Sequence, residues 1–407
     1  MDLGVLVSSA AIFSNTGEVK MGRGVSRRDV LTGGTALVGL ATSAIPNLGF
    51  PLLESDEVLV PFTDFPSDFD PNPRSGVRYL DTRKIRSFIT PSDQFFTVQH
   101  YGRPSINLTN YRLRISGLVE KPLELSLHNL RQRHRSLHIV GFECSGNSRR
   151  RINPLVGNAR WSGVSLKGLL QESGIKAHAT EVIFWGADKG TEEVSHGGAR
   201  VKVDQPFGRS LAVADAMRSE VLVVYEMNGE PLSPEQGAPV RLIVPGWYGV
   251  ANVKWLTHIH VQDRRFMGKF MAREYVTLRG LQSSEGIVWN ETSVSRIQLK
   301  SMVARVTRRG RRCKILGFVL NDGTPLSSVE VRIDEGPWLP ATIDRSSTAY
   351  SWKLFTYYWE NAPRGEHRIL SRVIDAYGRV QPEEKDLELK KTRWENNAQF
   401  TRTVMIA

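Results

Sequence analysis

Only 2 of the 407 residues are cysteine, which excludes a small scaffold stapled by disulfides. No apolar run approaches the roughly 20 residues that a membrane-spanning helix needs, so a mature chain without a membrane span is expected. Neither a collagen-like period nor the apolar poverty of a disordered chain is present, with 40% hydrophobic residues, 35 Gly and 20 Pro. Acidic residues are the minority charge, at 42 Asp+Glu against 54 Lys+Arg, giving a formal charge of +12. That surplus suits anionic substrates or acidic partners. The Lys and Arg are spread without the interleaved aromatics of a nucleic-acid reader, so no nucleic-acid partner is expected. At roughly 150 residues per domain, the length suggests two or three domains.

What is present begins with an address. Ser26-Arg27-Arg28-Asp29-Val30-Leu31 sets two arginines before the weakly apolar, Ala- and Gly-rich stretch Thr35 to Ile45. This resembles a bacterial twin-arginine export signal, with Met21 a plausible start and cleavage near Ala44. It implies a periplasmic protein exported already folded, a route often used by proteins that carry a cofactor.

Four segments follow from the composition: residues 1–45 as export signal, 46–91 as an extended wrap rich in Pro, Asp and Ser, 92–285 as a mixed α/β domain, and 286–407 as a β-sandwich. The fold class is therefore α+β. In the mixed domain, Tyr111 to Ile115 alternates with period two and closes at Gly117. Leu137 to Phe142, Glu181 to Trp185, Val221 to Tyr225 and Val240 to Val244 read as short buried strands. Ser165 and Gly174 read as the N-cap and the stop of a short helix. After a variable stretch around 266–295, regular strands follow at Arg312 to Leu320, Val329 to Ile333, Ser351 to Phe355 and His367 to Ile374. Turns such as Asn321-Asp322-Gly323 and Pro363-Arg364-Gly365 separate them, the pattern of a sandwich.

Two segments stand out chemically. Ile139 to Arg151 carries Cys144 off a buried strand into a Gly/Asn/Ser turn and then three arginines, Arg149, Arg150 and Arg151. Neighbouring guanidinium charge favours a thiolate, which binds soft metals or attacks electrophiles. The residues themselves leave three readings open: a buried structural cysteine, a nucleophile with His138 or His196 as base, or a single-thiolate metal site. No C-x-x-C pair accompanies it, so a metal there would need ligands from a cofactor. The second segment, Val240 to Trp255, runs from a strand bearing Arg241 into the turn Pro245-Gly246 and on to Lys254. Glycines admit close backbone approach while Arg and Lys add charge, so the loop can hold a phosphate or be a mere turn.

Taken together these segments are specific. Cys144-Ser145-Gly146-Asn147 with Arg149, the stretch Asn158 to Gly163, Tyr225 to Leu232 with Gly237 to Arg241, and Val244 to Leu256 stand in the order of the sulfite oxidase family of molybdenum–pterin enzymes. The chain resembles that family over about residues 92–400. The resemblance implies a molybdopterin-binding domain followed by an immunoglobulin-like sandwich of the dimerising type. It implies a cofactor with one pterin dithiolene per molybdenum, with Cys144 as the protein's thiolate ligand. Gln99, His100, Asp188, Gln236, Arg241, Asn252, Val253 and Lys254 fall where the family holds the pterin and its phosphate. Tyr275 falls at the pocket tyrosine, and Arg149 would line an anion pocket.

Two positions depart from the family pattern. Val98 stands where the family's sulfite-binding arginine precedes the Asn-His pair, read here as Gln99-His100, and Gln236 replaces a cofactor-binding His. Arg103 and Arg160 are candidates for the missing guanidinium. The family's C-terminal pocket arginine has no assignable counterpart, because Trp394 to Ala407 match poorly. No C-x-x-C-H haem site occurs, so no haem is expected and electrons would pass to a separate carrier such as a c-type cytochrome. The basic run Arg308 to Lys314 could dock it, or could be a charged strand edge, with Cys313 a half-buried strand residue. The reading is an oxidoreductase moving an oxygen atom between water and a small oxyanion or oxide, sulfite by default. The alternatives are reduction of sulfoxides or N-oxides, oxidation of another sulfur compound, a cysteine hydrolase, or a non-catalytic exported binding protein.

Overall fold

The computed structural model describes residues 56–66, 68–147 and 153–407. The twin-arginine segment and Arg149 lie outside the described residues. The body is richer in sheet than the α+β expectation. Among the described residues helices are few and short, the longest α-helix being Leu166–Ser173. It forms where the residues demand it: the Ser165 side chain accepts from the Gly168 N–H, and Gly174 turns left-handed at φ 67° to end it.

Two sheets carry the site. In the first, Leu123–Leu125, Leu113–Gly117, Leu256–Gln262, Glu181–His196 and Ala199–Ala212 lie side by side. Leu256–Gln262 runs parallel to Leu113–Gly117 and antiparallel to Glu181–His196. Leu113 and Ile115 are fully buried, as their alternation requires, although the strand starts two residues later than expected. In the second sheet the order is Arg241–Ile243, Leu222–Met227, Val156–Ser165 and Ser136–Glu143, all antiparallel. The expected strand Glu181 to Trp185 is only the root of a much longer ribbon, Glu181–His196 with Ala199–Ala212. The variable stretch holds a second ribbon, Val276–Ser283 with Gly286–Ser293, so the 285/286 boundary falls in its turn.

The C-terminal part is a sandwich of two sheets. One contains Val58–Val60, Lys300–Arg309, Arg312–Leu320, Lys353–Trp359 and Thr342–Ile343; the other Leu339–Pro340, Leu326–Ile333, Gly365–Asp375 and Arg402–Ile406. Their inner faces meet in an apolar layer that includes Val303, Ile315, Val329, Phe355, Ile369 and Val404. The N-terminal wrap supplies an edge strand, Val60 opposite Val306. Both cysteines are free thiols. Cys313 is fully buried in this core rather than half-buried. The basic run around it is paired, Arg309 with Asp56, Arg312 with Glu360 and Lys314 with Glu57, which favours the charged-edge reading.

Where sandwich and sheets meet, glycine is required. A Cβ on Gly141 would lie 2.6 Å from the Trp352 backbone nitrogen, and the Gly141 N–H donates to the Tyr350 carbonyl at 2.8 Å. This close approach seats the strand that ends at Cys144 directly on the sandwich.

Candidate functional site

Cys144 leaves strand Ser136–Glu143 in a tight turn. Its N–H donates to the Leu155 carbonyl (3.0 Å), and the Asn147 N–H returns to the Cys144 carbonyl (2.9 Å). The thiol borders a cavity of about 660 Å³, counted to its open mouth. The same cavity is lined by Gln99, His100, Asp188, Gln236, Arg241, Asn252, Lys254 and Tyr275. Residues more than a hundred positions apart are thereby brought together. Val253 is not among the lining residues: its N–H goes to Ala251 and its carbonyl to Leu242, so its backbone is spent on the fold.

The Pro-Gly loop spends most of its backbone donors on its own fold. Gly246 adopts φ 78°, and a Cβ there would lie 2.4 Å from the Asp322 carbonyl. The N–H groups of Trp247, Tyr248, Ala251, Asn252 and Val253 are all taken by backbone carbonyls. The Asn252 side chain stitches the turn, accepting from the Val244 N–H (2.7 Å) and donating to the Tyr248 carbonyl (3.1 Å). The positive charge comes instead from side chains. Arg241 is buried, fixed by donation to the Gln236 carbonyl (3.0 Å), to Gln236 Oε1 (3.1 Å) and to the Asn252 carbonyl (3.0 Å). Lys254 Nζ donates to the Glu235 carbonyl at 3.1 Å and, more weakly, to Thr97 Oγ1.

Neither cation has a carboxylate within salt-bridge distance among the described residues. Burial pushes Lys254 down to about 7, with Arg241 adding repulsion, and burial pushes Arg241 down to about 9. Asp188 faces the same space with an unbonded, buried Oδ1, and burial raises its carboxyl to about 6. Two neighbouring cations without a carboxylate partner, Arg241 buried and Lys254 half-buried, are an unfavourable arrangement unless an anion completes it.

The His100 ring packs against Phe207 (centroids 4.7 Å) and Phe270 (4.5 Å), which also touch each other, with Nε2 2.8 Å from the Tyr275 hydroxyl. Burial, then the charges of Lys254, Lys269 and Arg209, hold His100 down at about 3, so the ring is neutral. Burial also raises the Tyr275 phenol, which therefore stays protonated. The Cys144 thiol departs from expectation: burial pushes it up to about 11, outweighing the nearby Arg393 charge. The thiolate expected from sequence needs a cation at the sulfur to form.

Three predicted roles find no place here. Val98 does line the cavity, but Arg103 pairs with Glu235 and Arg160 sits on strand Val156–Ser165; neither is a lining residue. His138 pairs across strands with Trp161, away from the thiol. Sequence reasoning also missed a C-terminal strap. Trp394 stacks on Tyr275 at 4.3 Å, and a Cβ on Gly146 would lie 3.0 Å from its ring. The Glu395 N–H donates to the Ser145 carbonyl (2.8 Å), while its carboxylate accepts from Thr277 (2.6 Å) and Arg279 (2.7 Å). No local pattern marks this strap, because its partners are all distant in sequence.

The cavity fits a molybdenum–pterin group. A lone thiol bordering it suits a soft metal that brings its other ligands, and among the described residues no three His, Cys, Asp or Glu could hold an ion alone. The unpaired Arg241 and Lys254 suit a phosphate, and the Asp188 oxygen suits an N–H donor.

Several known proteins are similar to this chain. Residues 100–270 match the oxidoreductase molybdopterin binding domain. The chain is 30% identical over 335 residues to mitochondrial sulfite oxidase of Drosophila melanogaster, covering 73% of this chain and 56% of that protein. It is 26% identical to sulfite oxidase of Arabidopsis thaliana, covering 74% of this chain and 84% of that one. The chain thus spans little more than half the length of the animal relatives it matches. The crystal structure of the sulfane dehydrogenase SoxCD from Paracoccus pantotrophus superposes with a TM-score of 0.70 at 24% identity, covering 84% of this chain and 90% of that chain, a likeness of fold.

Proposed function

Because the chain belongs to the sulfite oxidase family of molybdopterin-dependent oxidoreductases, we propose that it transfers an oxygen atom between water and a small substrate, passing electrons to a separate carrier. The observation that carries this reading is the convergence of a free thiol, Cys144, with two cations that lack a salt-bridge partner, buried Arg241 and half-buried Lys254, on one cavity. Cys144 would hold the metal, Arg241 and Lys254 the phosphate of the pterin, and Asp188 and Gln236 its polar edges. The bound group supplies the two-electron chemistry; the protein supplies position and electrostatics. Tyr275, a protonated phenol bonded to a neutral imidazole, can donate one hydrogen bond into the cavity or relay a proton through His100. Phe95, Phe96, Phe142 and Phe207 give this space its apolar lining.

Sulfite-to-sulfate oxidation is the default reaction. A second reading, turnover of a neutral oxide or of another sulfur compound, is favoured by one observation: Val98 lines the cavity where an arginine would serve an anion, and Arg103 and Arg160 do not replace it. Export through the twin-arginine segment to the periplasm, a haem-free chain and a dimer through the immunoglobulin-like sandwich complete the proposal. The test is expression of the full chain with its signal in a molybdenum-replete bacterium. Bound molybdenum is measured, then sulfite-dependent reduction of ferricyanide or cytochrome c. One molybdenum per chain, lost in Cys144→Ser, is the expected result. Folded wild-type protein without molybdenum refutes the reading, and molybdenum without sulfite turnover selects the second one.

A further inference from the structure

Behind the cysteine turn lies a buried ion pair that the proposed chemistry does not use. Lys300 opens strand Lys300–Arg309 of the sandwich, and its side chain is 3% exposed; that of its partner Glu143 is 2% exposed. An ammonium has three donors, and all three are spent here. They go to Glu143 Oε1 (2.6 Å), Asn153 Oδ1 (2.9 Å) and the Asn396 carbonyl (2.9 Å). Stability alone does not explain the arrangement, since a buried pair of this kind is often replaceable by apolar side chains at no loss.

The three acceptors share a destination. Glu143 is the residue before Cys144, and its Oε1 also accepts from Asn147 Nδ2 at 3.1 Å. Asn153 lies where the chain returns from the cysteine loop, two residues before Leu155, whose carbonyl holds the Cys144 N–H and whose own N–H goes to Asn147 Oδ1 (3.0 Å). Asn396 belongs to the strap that places Trp394 on Tyr275 and bonds the Ser145 carbonyl through Glu395. One nitrogen atom therefore pins the entry to the cysteine loop, its exit, and the strap behind the pocket tyrosine.

We propose that Lys300 is a positioning residue of the site, a three-way tie from the sandwich that sets Cys144 and the Trp394–Tyr275 wall relative to one another. The inference rests on the reading of Cys144 as the metal-holding thiolate. An apolar residue at 300 could keep the fold, but it would leave the loop exit and the strap without their common anchor.

Two variants test it, K300M and the charge-neutral pair E143Q/K300M, which leaves no buried carboxylate unpaired. In cofactor-free protein the alkylation rate of Cys144 by iodoacetamide is followed at one pH by mass spectrometry, with fully buried Cys313 as internal reference. In loaded protein, kcat and KM for sulfite are measured alongside bound molybdenum, and urea midpoints report folding. The expected result is faster alkylation of Cys144 but not of Cys313 in both variants. A loss of roughly 10²-fold in kcat/KM should accompany it, the scale of an ångström misplacement, carried mainly by kcat. The double variant should recover the wild-type urea midpoint without recovering either readout. A double variant with wild-type alkylation and wild-type kcat overturns the proposal. If wild-type protein binds no molybdenum, the functional reading fails, and the alkylation comparison still decides the positioning role.

Discussion

Replacing Lys254 with methionine should make the cofactor-free protein more stable and the loaded protein worse. Lys254 holds its proton with a pKa of 10.5 when solvated and about 7 in the fold, chiefly because it is buried. Between those values the unfolded chain carries the proton and the folded chain sheds it, so stability rises with pH across that window. At pH 7 the mismatch amounts to about 4 kcal/mol of destabilisation. Methionine removes it at similar volume and forfeits the contacts to the Glu235 carbonyl and Thr97 Oγ1, worth about 1 kcal/mol or less each. The net expectation is a gain of roughly 2–4 kcal/mol at pH 7 that shrinks towards zero near pH 10.5. Urea unfolding of wild-type and K254M apoprotein at several pH values measures it. Phosphate binding reverses the sign, since an anion beside Lys254 restores its charge; K254M should therefore retain less molybdenum after purification. An apoprotein K254M that is less stable at pH 7, or a difference that does not vary with pH, would show that Lys254 has a counter-charge already, and the phosphate assignment would fall.

Two further outcomes follow from the geometry. Tyr275→Phe removes the hydroxyl bonded to His100 Nε2 and should lower kcat by roughly 10²-fold with molybdenum content unchanged; because His100 is held at about 3, neither protein should show a histidine limb in its kcat/KM profile between pH 5 and 8. Gly141→Ala forces a methyl group against the Trp352 backbone nitrogen at 2.6 Å, and urea unfolding should register a loss of about 1–3 kcal/mol.

Local chemistry made part of this molecule legible in its sequence. Ser165 and Gly174 bound a helix because a hydroxyl cap and a left-handed glycine act within one turn. The alternation at Leu113 and Ile115, and the apolar run Arg312 to Leu320, mark strands for the same reason. Cys144, Arg241 and Lys254 could be singled out because a thiol beside a Gly/Asn turn and cations around a Pro-Gly loop are unusual neighbours. Features that depend on distant partners were not legible. The ribbon beyond Trp185 reads Asp-Lys-Gly-Thr-Glu-Glu, polar on both faces, and it pairs only because its register with Ala199–Ala212 is set at the root. Lys300 gives no sign of its burial, since its three acceptors stand at 143, 153 and 396. The rise of the Cys144 thiol was not legible because the desolvation that causes it is a property of the packed cavity rather than of the neighbouring sequence.

The strap also gives the site a schedule. Trp394 and Glu395 leave the ribosome about 250 residues after Cys144 (394 against 144), which at 5–20 residues per second is roughly 10–50 seconds. Only for the last 130 or so residues of that interval, after Gln262 (394 against 262), have both sheets that carry the cysteine and the cations been synthesised while the side chain that backs Tyr275 has not. Thereafter the Glu395 bond to Ser145, and its carboxylate on Thr277 and Arg279, tie the last-made segment to the cysteine turn and to the ribbon that follows Tyr275, so the wall behind the phenol is the last part of the site to be set.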